Sequence, residues 1–123
     1  MNSSEYVLYA IQLANENDLN FGKTGIQKVM YFALPKKIRE EIYIPYNYGP
    51  YSVNIQRIMD SLDKVGKAEY NYYENKFNIP KDHILKKTNK LKNDNLIIKI
   101  NKIFDFIKEN YPNKRSIQSE LAN

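Results

Sequence analysis

Catalysis needs particular side chains at particular spacings, and this chain holds few of them. His83 is the only histidine and cysteine is absent, which removes thiol nucleophiles, Cys-His pairs and cysteine-based zinc sites. His83 follows Pro80-Lys81-Asp82, at an expected, solvent-facing helix start. Gly22-Lys23-Thr24 resembles the tail of a phosphate-binding Walker loop, but no glycine stands five residues upstream and no strand pattern leads into it. The glycines at 22, 25, 49 and 66 are too scattered for a dinucleotide fingerprint. Glu40-Glu41 and Asp60-Asp63 sit beside Lys and Arg in charged stretches and read as solvated faces rather than acid–base pairs. The expectation is a non-enzymatic chain with no metal and no cofactor.

The remaining polar and aromatic residues suit binding. Asn54, Gln56 and Arg57 carry the amide and guanidinium groups that read base edges through paired hydrogen bonds. Lys64, Lys67, Lys76, Lys86, Lys87 and Lys90 are the matching phosphate contacts. Asp60 and Asp63 oppose this reading, because two carboxylates near the reading helix repel a nucleic-acid backbone. The alternative is a solvated helix face. Tyrosine offers a second kind of surface: of eleven tyrosines, Tyr43, Tyr46, Tyr48 and Tyr51 flank Gly49-Pro50, and Tyr70, Tyr72 and Tyr73 lie together further on. Tyrosine gives large contact area, few rotors and a polar tip, so Tyr46, Tyr48, Tyr51, Tyr70 and Tyr72 are candidates for holding a partner protein. In a chain without tryptophan, core filling is the competing use.

Net charge is +5, and the excess lies at one end. Residues 1–35 carry two lysines against three acids, residues 36–80 seven basic side chains against six, and residues 81–123 ten against five. Such a basic third attracts nucleic acid or an acidic protein, although a general abundance of Lys, Asn and Ile produces the same bias. The first residues have neither a basic n-region nor an apolar core, and no apolar run reaches the ~18 residues of a membrane span. Together with the lack of cysteine this points to a cytoplasmic protein with no membrane partner.

Periodicity and punctuation supply the elements that must hold these residues. A first helix is expected over about Glu5–Asn15, capped by Ser3 or Ser4, with Val7, Leu8, Ile11 and Ala14 on one face. Thr24-Gly25-Ile26-Gln27 has the form of a capping box for a second helix over Gly25–Leu34, burying Ile26, Val29, Met30 and Ala33, and Pro35 stops it. Residues 36–41 read as a charged connection or a short helical turn. Residues 42–48 are strand-like, with Pro45 restricting them to an edge or an extended loop. Ser52 caps a helix over Val53–Lys64 with Ile55, Ile58, Met59, Leu62 and Val65 as its stripe, and Gly66 stands where a left-handed residue is wanted. A hairpin follows, residues 68–73 and 76–79 around Glu74-Asn75. Beyond Pro80, Ile84, Leu85, Thr88 and Leu91 mark a basic helix broken near Asn93-Asp94-Asn95. A stronger helix then runs to Asn110 on Leu96, Ile100, Ile103, Phe104 and Ile107. Tyr111-Pro112 ends it, and Ser116 caps a short terminal helix with Ile117 and Leu121.

The predicted class is therefore α+β, mainly helical, in a single domain over 1–123. Residues 1–80 form a winged-helix-like core (helix, helix, extended segment, helix, β-hairpin), and residues 81–123 a basic helical C-terminal extension. In a winged helix the third helix enters the major groove while the hairpin touches backbone. The helix over 96–107 is also a candidate seam for a homodimer through the C-terminal helices.

Two segments resemble a known family. Ile26-Gln27-Lys28-Val29-Met30-Tyr31-Phe32-Ala33 is similar to a motif of the type Leu-Gln-Lys-Leu-Leu-Tyr-Tyr-Ala, and Tyr48-Gly49-Pro50-Tyr51-Ser52 is similar to a Tyr-Gly-Pro turn placed before the next helix. Together, over about residues 20–66, they resemble the Panacea (SocA-like) antitoxin domain. The resemblance implies a toxin-neutralising module or adaptor that works by protein contact, with a toxin-like partner and no cofactor. Independently of the family, Gly49 is expected to let the turn pass close to the Gln27-Lys28 helix. Two functions stay open: a DNA-binding regulator, and a protein-binding module with no nucleic-acid contact.

Overall fold

The computed structural model describes residues 1–19, 21–47 and 49–110. Tyr48 and the expected terminal helix around Ser116, Ile117 and Leu121 lie outside the described residues. The class is α+β and mainly helical: α1 Ser3–Glu16, α2 Lys23–Ala33, α3 Lys36–Ile42, β1 Ile44–Tyr46, β2 Gly49–Tyr51, α4 Val53–Lys64, β3 Glu69–Asn71, β4 Lys76–Asn78, α5 Asn89–Lys92 and α6 Asn95–Asn110. The strands form two separate antiparallel hairpins, β1–β2 and β3–β4. Among the described residues, no helix is long and apolar enough to cross a membrane.

α1 is the centre of the fold. Every residue from Val7 to Ala14 is buried, because α2, α4, α6 and β4 all pack against it. The amphipathic stripe expected for this helix thus becomes burial all round. Its cap is Asn2 rather than Ser3 or Ser4: Asn2 Oδ1 accepts the Glu5 amide and Glu5 accepts the Asn2 amide, a complete capping box one turn ahead of the apolar run.

α2 also begins differently. Gly22 is its N-cap and no side chain caps it, so the box expected at Thr24 does not form; the Gln27 amide is engaged elsewhere. Pro35 ends α2 and opens α3. The extended stretch after α3 folds back on itself as a hairpin, with Pro45 opposite Pro50; a lone two-stranded ladder leaves the prolines no central strand to interrupt.

α4 matches its expected bounds. Ser52 Oγ accepts the Ile55 amide, and Ile55, Met59 and Leu62 are buried. Gly66 follows in the left-handed region at φ +78°. Val65 does not continue the stripe: it is 61% exposed, since the chain turns outward at the helix end. In the second hairpin Tyr70 faces Phe77. The connection is longer than Glu74-Asn75 alone, spanning 72–75, because Asn71 Oδ1 accepts the amides of Tyr73 and Glu74 and turns the chain early.

The basic helix expected over Ile84–Leu91 is absent. In its place stand a 3₁₀ turn at Lys81–His83, an extended stretch, and the single turn of α5 capped by Thr88. The cause lies 73 residues away in sequence. Gln12, buried on α1, donates to the Leu85 carbonyl at 3.1 Å and accepts the Leu85 amide at 2.7 Å, which holds that backbone extended. α6 then packs on α1 and α2. Ile97, rather than Leu96, completes its buried stripe with Ile100, Phe104 and Ile107, and these residues join the same core cluster as α1, α2 and α4. The stripe considered for a homodimer is thereby turned inward.

Candidate functional site

The two segments that carried the family resemblance meet in space. Gln27, on the buried side of α2, donates from Nε2 to the Ser52 carbonyl at 2.9 Å and accepts the Ser52 amide at 3.0 Å. Both ends of one side-chain amide thus hold the residue that caps α4. The Gln27 carbonyl in turn accepts the Tyr43 hydroxyl at 2.7 Å, and burial pushes the Tyr43 phenol well above its ordinary range. One turn of α2 is thereby tied to the start of β1 and the end of β2.

Beside it, Lys28 runs along Gly49. A Cβ on Gly49 would stand 2.7 Å from Lys28 Cε and 3.0 Å from its Nζ, and Gly49 has φ +117°. The expected close passage of the turn along α2 is therefore present, and only glycine accommodates both the contact and the dihedral.

The Gly49-Pro50 turn separates two surface grooves. One, of about 440 Å³, is walled by Tyr31, Tyr43, Tyr46 and Pro45 with Arg39 and Glu40 at its edge; the Arg39 guanidinium lies over the Tyr31 ring at 5.2 Å. The other, of about 130 Å³, is bordered by Lys23, Thr24, Gln56, Tyr46, Tyr51 and the turn. Tyr46 and Tyr51 pack ring to ring at 5.2 Å between them.

Lys23 joins this region to the second hairpin. Its ammonium lies 4.7 Å from the Tyr70 ring centre and 5.1 Å from that of Tyr72, with Asp60 of α4 at 3.8 Å. Tyr70 and Tyr72 meet edge to face at 4.9 Å. Four of the five tyrosines singled out for partner binding, Tyr46, Tyr51, Tyr70 and Tyr72, thus border one surface around Lys23. Tyr46 and Tyr72 are the most open of these, 59% and 70% exposed. Tyr70 is half-buried under Lys23 and accepts less water, which raises its phenol.

The residues singled out for nucleic acid are more dispersed. Asn54, Arg57, Lys64 and Lys67 are exposed on α4 and just beyond it. Gln56 is half-buried and donates to Asp60 at 3.0 Å. Lys76 pairs with Glu74 at 3.4 Å, and Lys87 with Glu16 of α1 at 2.9 Å. Lys86 and Lys90 border a groove shared with Met1, Asn2 and Glu5, which contains no residue of α4. Lys86 and Lys87 stand on the extended stretch rather than on a helix. Among the described residues no group of three or more His, Cys, Asp or Glu is placed to hold a metal ion.

Sequence reasoning passed over Lys23 and Lys28 as site residues, and the double role of Gln27. The one visible signal was a Gln-Lys pair set inside an otherwise apolar helical run. Comparison with protein-family models, curated proteins and solved structures finds no match to this chain.

Proposed function

We propose that this chain is a non-enzymatic regulatory module that works by holding a partner protein on the tyrosine surface around Lys23, as an antitoxin or adaptor does. The observation that carries this reading is the convergence of Tyr46, Tyr51, Tyr70 and Tyr72, from two hairpins, on one face. Large aromatic side chains with few rotors, flanked by a groove and already packed on one another, are the usual anchors of a protein interface. The resemblance of the Gln27-Lys28 and Gly49-Pro50 segments to the Panacea antitoxin domain supports a toxin-like partner. The test is affinity capture from the native host with the full chain as bait. A stoichiometric partner retained by the wild type and lost by the Tyr46→Ser/Tyr72→Ser double variant is expected. Equal recovery on both baits, or none on either, would overturn the reading.

A second reading rests on α4. Under a winged-helix reading, α4 with its Ser52 cap and exposed Asn54, Arg57 and Lys64 would enter the major groove and the hairpin that follows would touch backbone. That reading requires affinity for duplex that falls steeply with salt, and Arg57→Ala must weaken it. Cytoplasmic residence and self-association belong with these proposals; sizing chromatography of the full chain reports the latter.

A further inference from the structure

Beyond Pro80, residues 81–92 carry five lysines, Lys81, Lys86, Lys87, Lys90 and Lys92, against one carboxylate, Asp82. Three ties fix this stretch to the rest of the fold. Gln12 of α1, itself 3% exposed, holds both the amide and the carbonyl of Leu85. Lys87 turns back to Glu16 of α1 at 2.9 Å, so it serves as an anchor. Thr88 caps the turn of α5 that buries Leu91. Lys86, Lys90 and Lys92 stand exposed along the anchored backbone. Neither they nor Lys81 have an ion-pair partner among the described residues. Lys86, Thr88 and Lys90 border a groove of about 440 Å³ with Leu85 and Leu91. Glu5, the one carboxylate on its border, accepts the Asn2 amide in the α1 capping box. This groove shares no residue with either groove of the tyrosine surface.

Unpaired ammonium groups on a fixed backbone, interleaved with the hydroxyl of Thr88 and the amide of Asn89, are the set that contacts phosphate oxygens. An acidic protein fits this strip less well. Protein interfaces are anchored by aromatic and arginine side chains and are poor in lysine, and residues 81–92 contain no Arg, Tyr or Phe. The same lack leaves no such ring for the bases of a single strand to stack on. We propose that the strip over 81–92 is a second binding surface, which takes the phosphate backbone of duplex nucleic acid through Lys86, Lys90 and Lys92. Lysines on phosphates carry no sequence information, so this contact is indifferent to base sequence. It is independent of the tyrosine surface, and it differs from a winged-helix contact because no residue of α4 takes part. The lysine strip meets no carboxylate of the kind that Asp60 and Asp63 place on α4.

The probe is a short labelled DNA duplex, titrated with the full chain at a series of potassium chloride concentrations and read by fluorescence anisotropy. Affinity is expected to fall linearly with salt on logarithmic axes and to be the same for two unrelated sequences. The triple variant Lys86→Gln/Lys90→Gln/Lys92→Gln is expected to lower the salt slope by about 3, roughly 1 for each phosphate contact, and to weaken binding about tenfold or more. The matching triple Lys→Arg variant keeps the charges and is expected to keep both slope and affinity. Arg57→Ala on α4 and Tyr46→Ser/Tyr72→Ser on the hairpins are expected to change neither. Absence of duplex binding at low salt overturns the proposal, as does a slope that the glutamine variant leaves intact or the arginine variant abolishes. Loss of binding in Arg57→Ala alone would move the contact to α4. Tighter binding of poly-glutamate than of the duplex at equal salt would assign the strip to an acidic protein and likewise overturn it. Neither result bears on the tyrosine surface, whose own double variant tests it.

Discussion

Ser52 is wholly buried, and its backbone amide and carbonyl both end on the Gln27 side chain. Replacing that side chain with one of similar size and no polarity leaves a buried donor and a buried acceptor unpaired, and each orphan costs ~1–3 kcal/mol. Gln27→Leu is therefore expected to lower stability by about 2–4 kcal/mol, read as a drop in the urea midpoint without a change of slope. Gly49 and Gly66 form a matched pair of controls for backbone strain. Both have positive φ, +117° and +78°, but a Cβ at Gly66 meets only the flexible Glu69 carboxylate at 3.6 Å, whereas at Gly49 it strikes Lys28 at 2.7 Å. Gly66→Ala is expected to cost about 1 kcal/mol, and Gly49→Ala roughly 2–3 kcal/mol because steric contact adds to the strained dihedral. A Lys28→Ala background should remove part of the Gly49→Ala cost, and additive free energies in that double-mutant cycle would show the contact to be incidental.

At the scale of elements, α6 depends on a single carboxylate. Asp94 Oδ1 accepts the amides of Leu96 and Ile97, the first-turn donors of α6, while Oδ2 accepts the Tyr6 hydroxyl of α1 at 2.6 Å. The Tyr6 hydrogen bond first, and the two amides after it, hold the Asp94 carboxyl below its ordinary range; the same bond pushes the Tyr6 phenol up to about 12. The acid and the phenol act at opposite ends of the pH scale. Because the Asp94 pKa is depressed on folding, its contribution is full above the ordinary carboxylate value of 3.8 and is lost as pH falls through the folded value. Tyr6 is raised on folding, so its contribution is full below 10.0 and is lost as pH rises through about 12. Asp94→Ala is expected to cost about 1–2 kcal/mol, the worth of a helix cap, and to flatten the acid limb of the stability profile. An unchanged acid limb in thermal melts of the variant would mean that other carboxylates set it.

For the molecule as a whole, the decisive feature is one core. Phe104 of α6 is 1% exposed and its ring lies 5.7 Å from that of Phe21, which leads into α2. Ile97 and Ile100 are equally enclosed, and α1 lies among all of them. A chain of this kind should unfold in one cooperative step. Phe104→Ala is expected to lower stability by about 3–5 kcal/mol, with tyrosine fluorescence and far-ultraviolet circular dichroism reporting the same midpoint. Two separated transitions in the wild type would indicate that α6 and the residues before Pro80 stand apart. The same enclosure bears on where the candidate tyrosine surface lies. α1, α2 and α6 turn their buried faces to each other, and the exposed tyrosine rings Tyr46, Tyr72 and Tyr73 lie on the two hairpins, while Phe32 of α2 and Phe106 of α6 are exposed on the helices' outer sides.

Features that depend on neighbours a few positions away were legible in the sequence. The bounds of α4, the Ser52 cap, the left-handed Gly66 and the presence of a hairpin after it all follow from local capping, period and turn chemistry, whereas the hairpin register, with Tyr70 opposite Phe77, shifted with the longer turn that Asn71 sets. The tyrosine clusters were legible too, as composition. What only the tertiary structure decided are the contacts between distant residues: Gln12 holding Leu85 extended, Gln27 occupied by Ser52, Lys28 enclosed against Gly49, and Lys23 joining one tyrosine cluster to the other. A glutamine or lysine at a given position has the same local preferences whether it faces water or a neighbouring backbone. Packing between elements far apart in sequence chose between those states, and it turned the Gln27-Lys28 pair inside an apolar run into the joint between α2, the first hairpin and the start of α4.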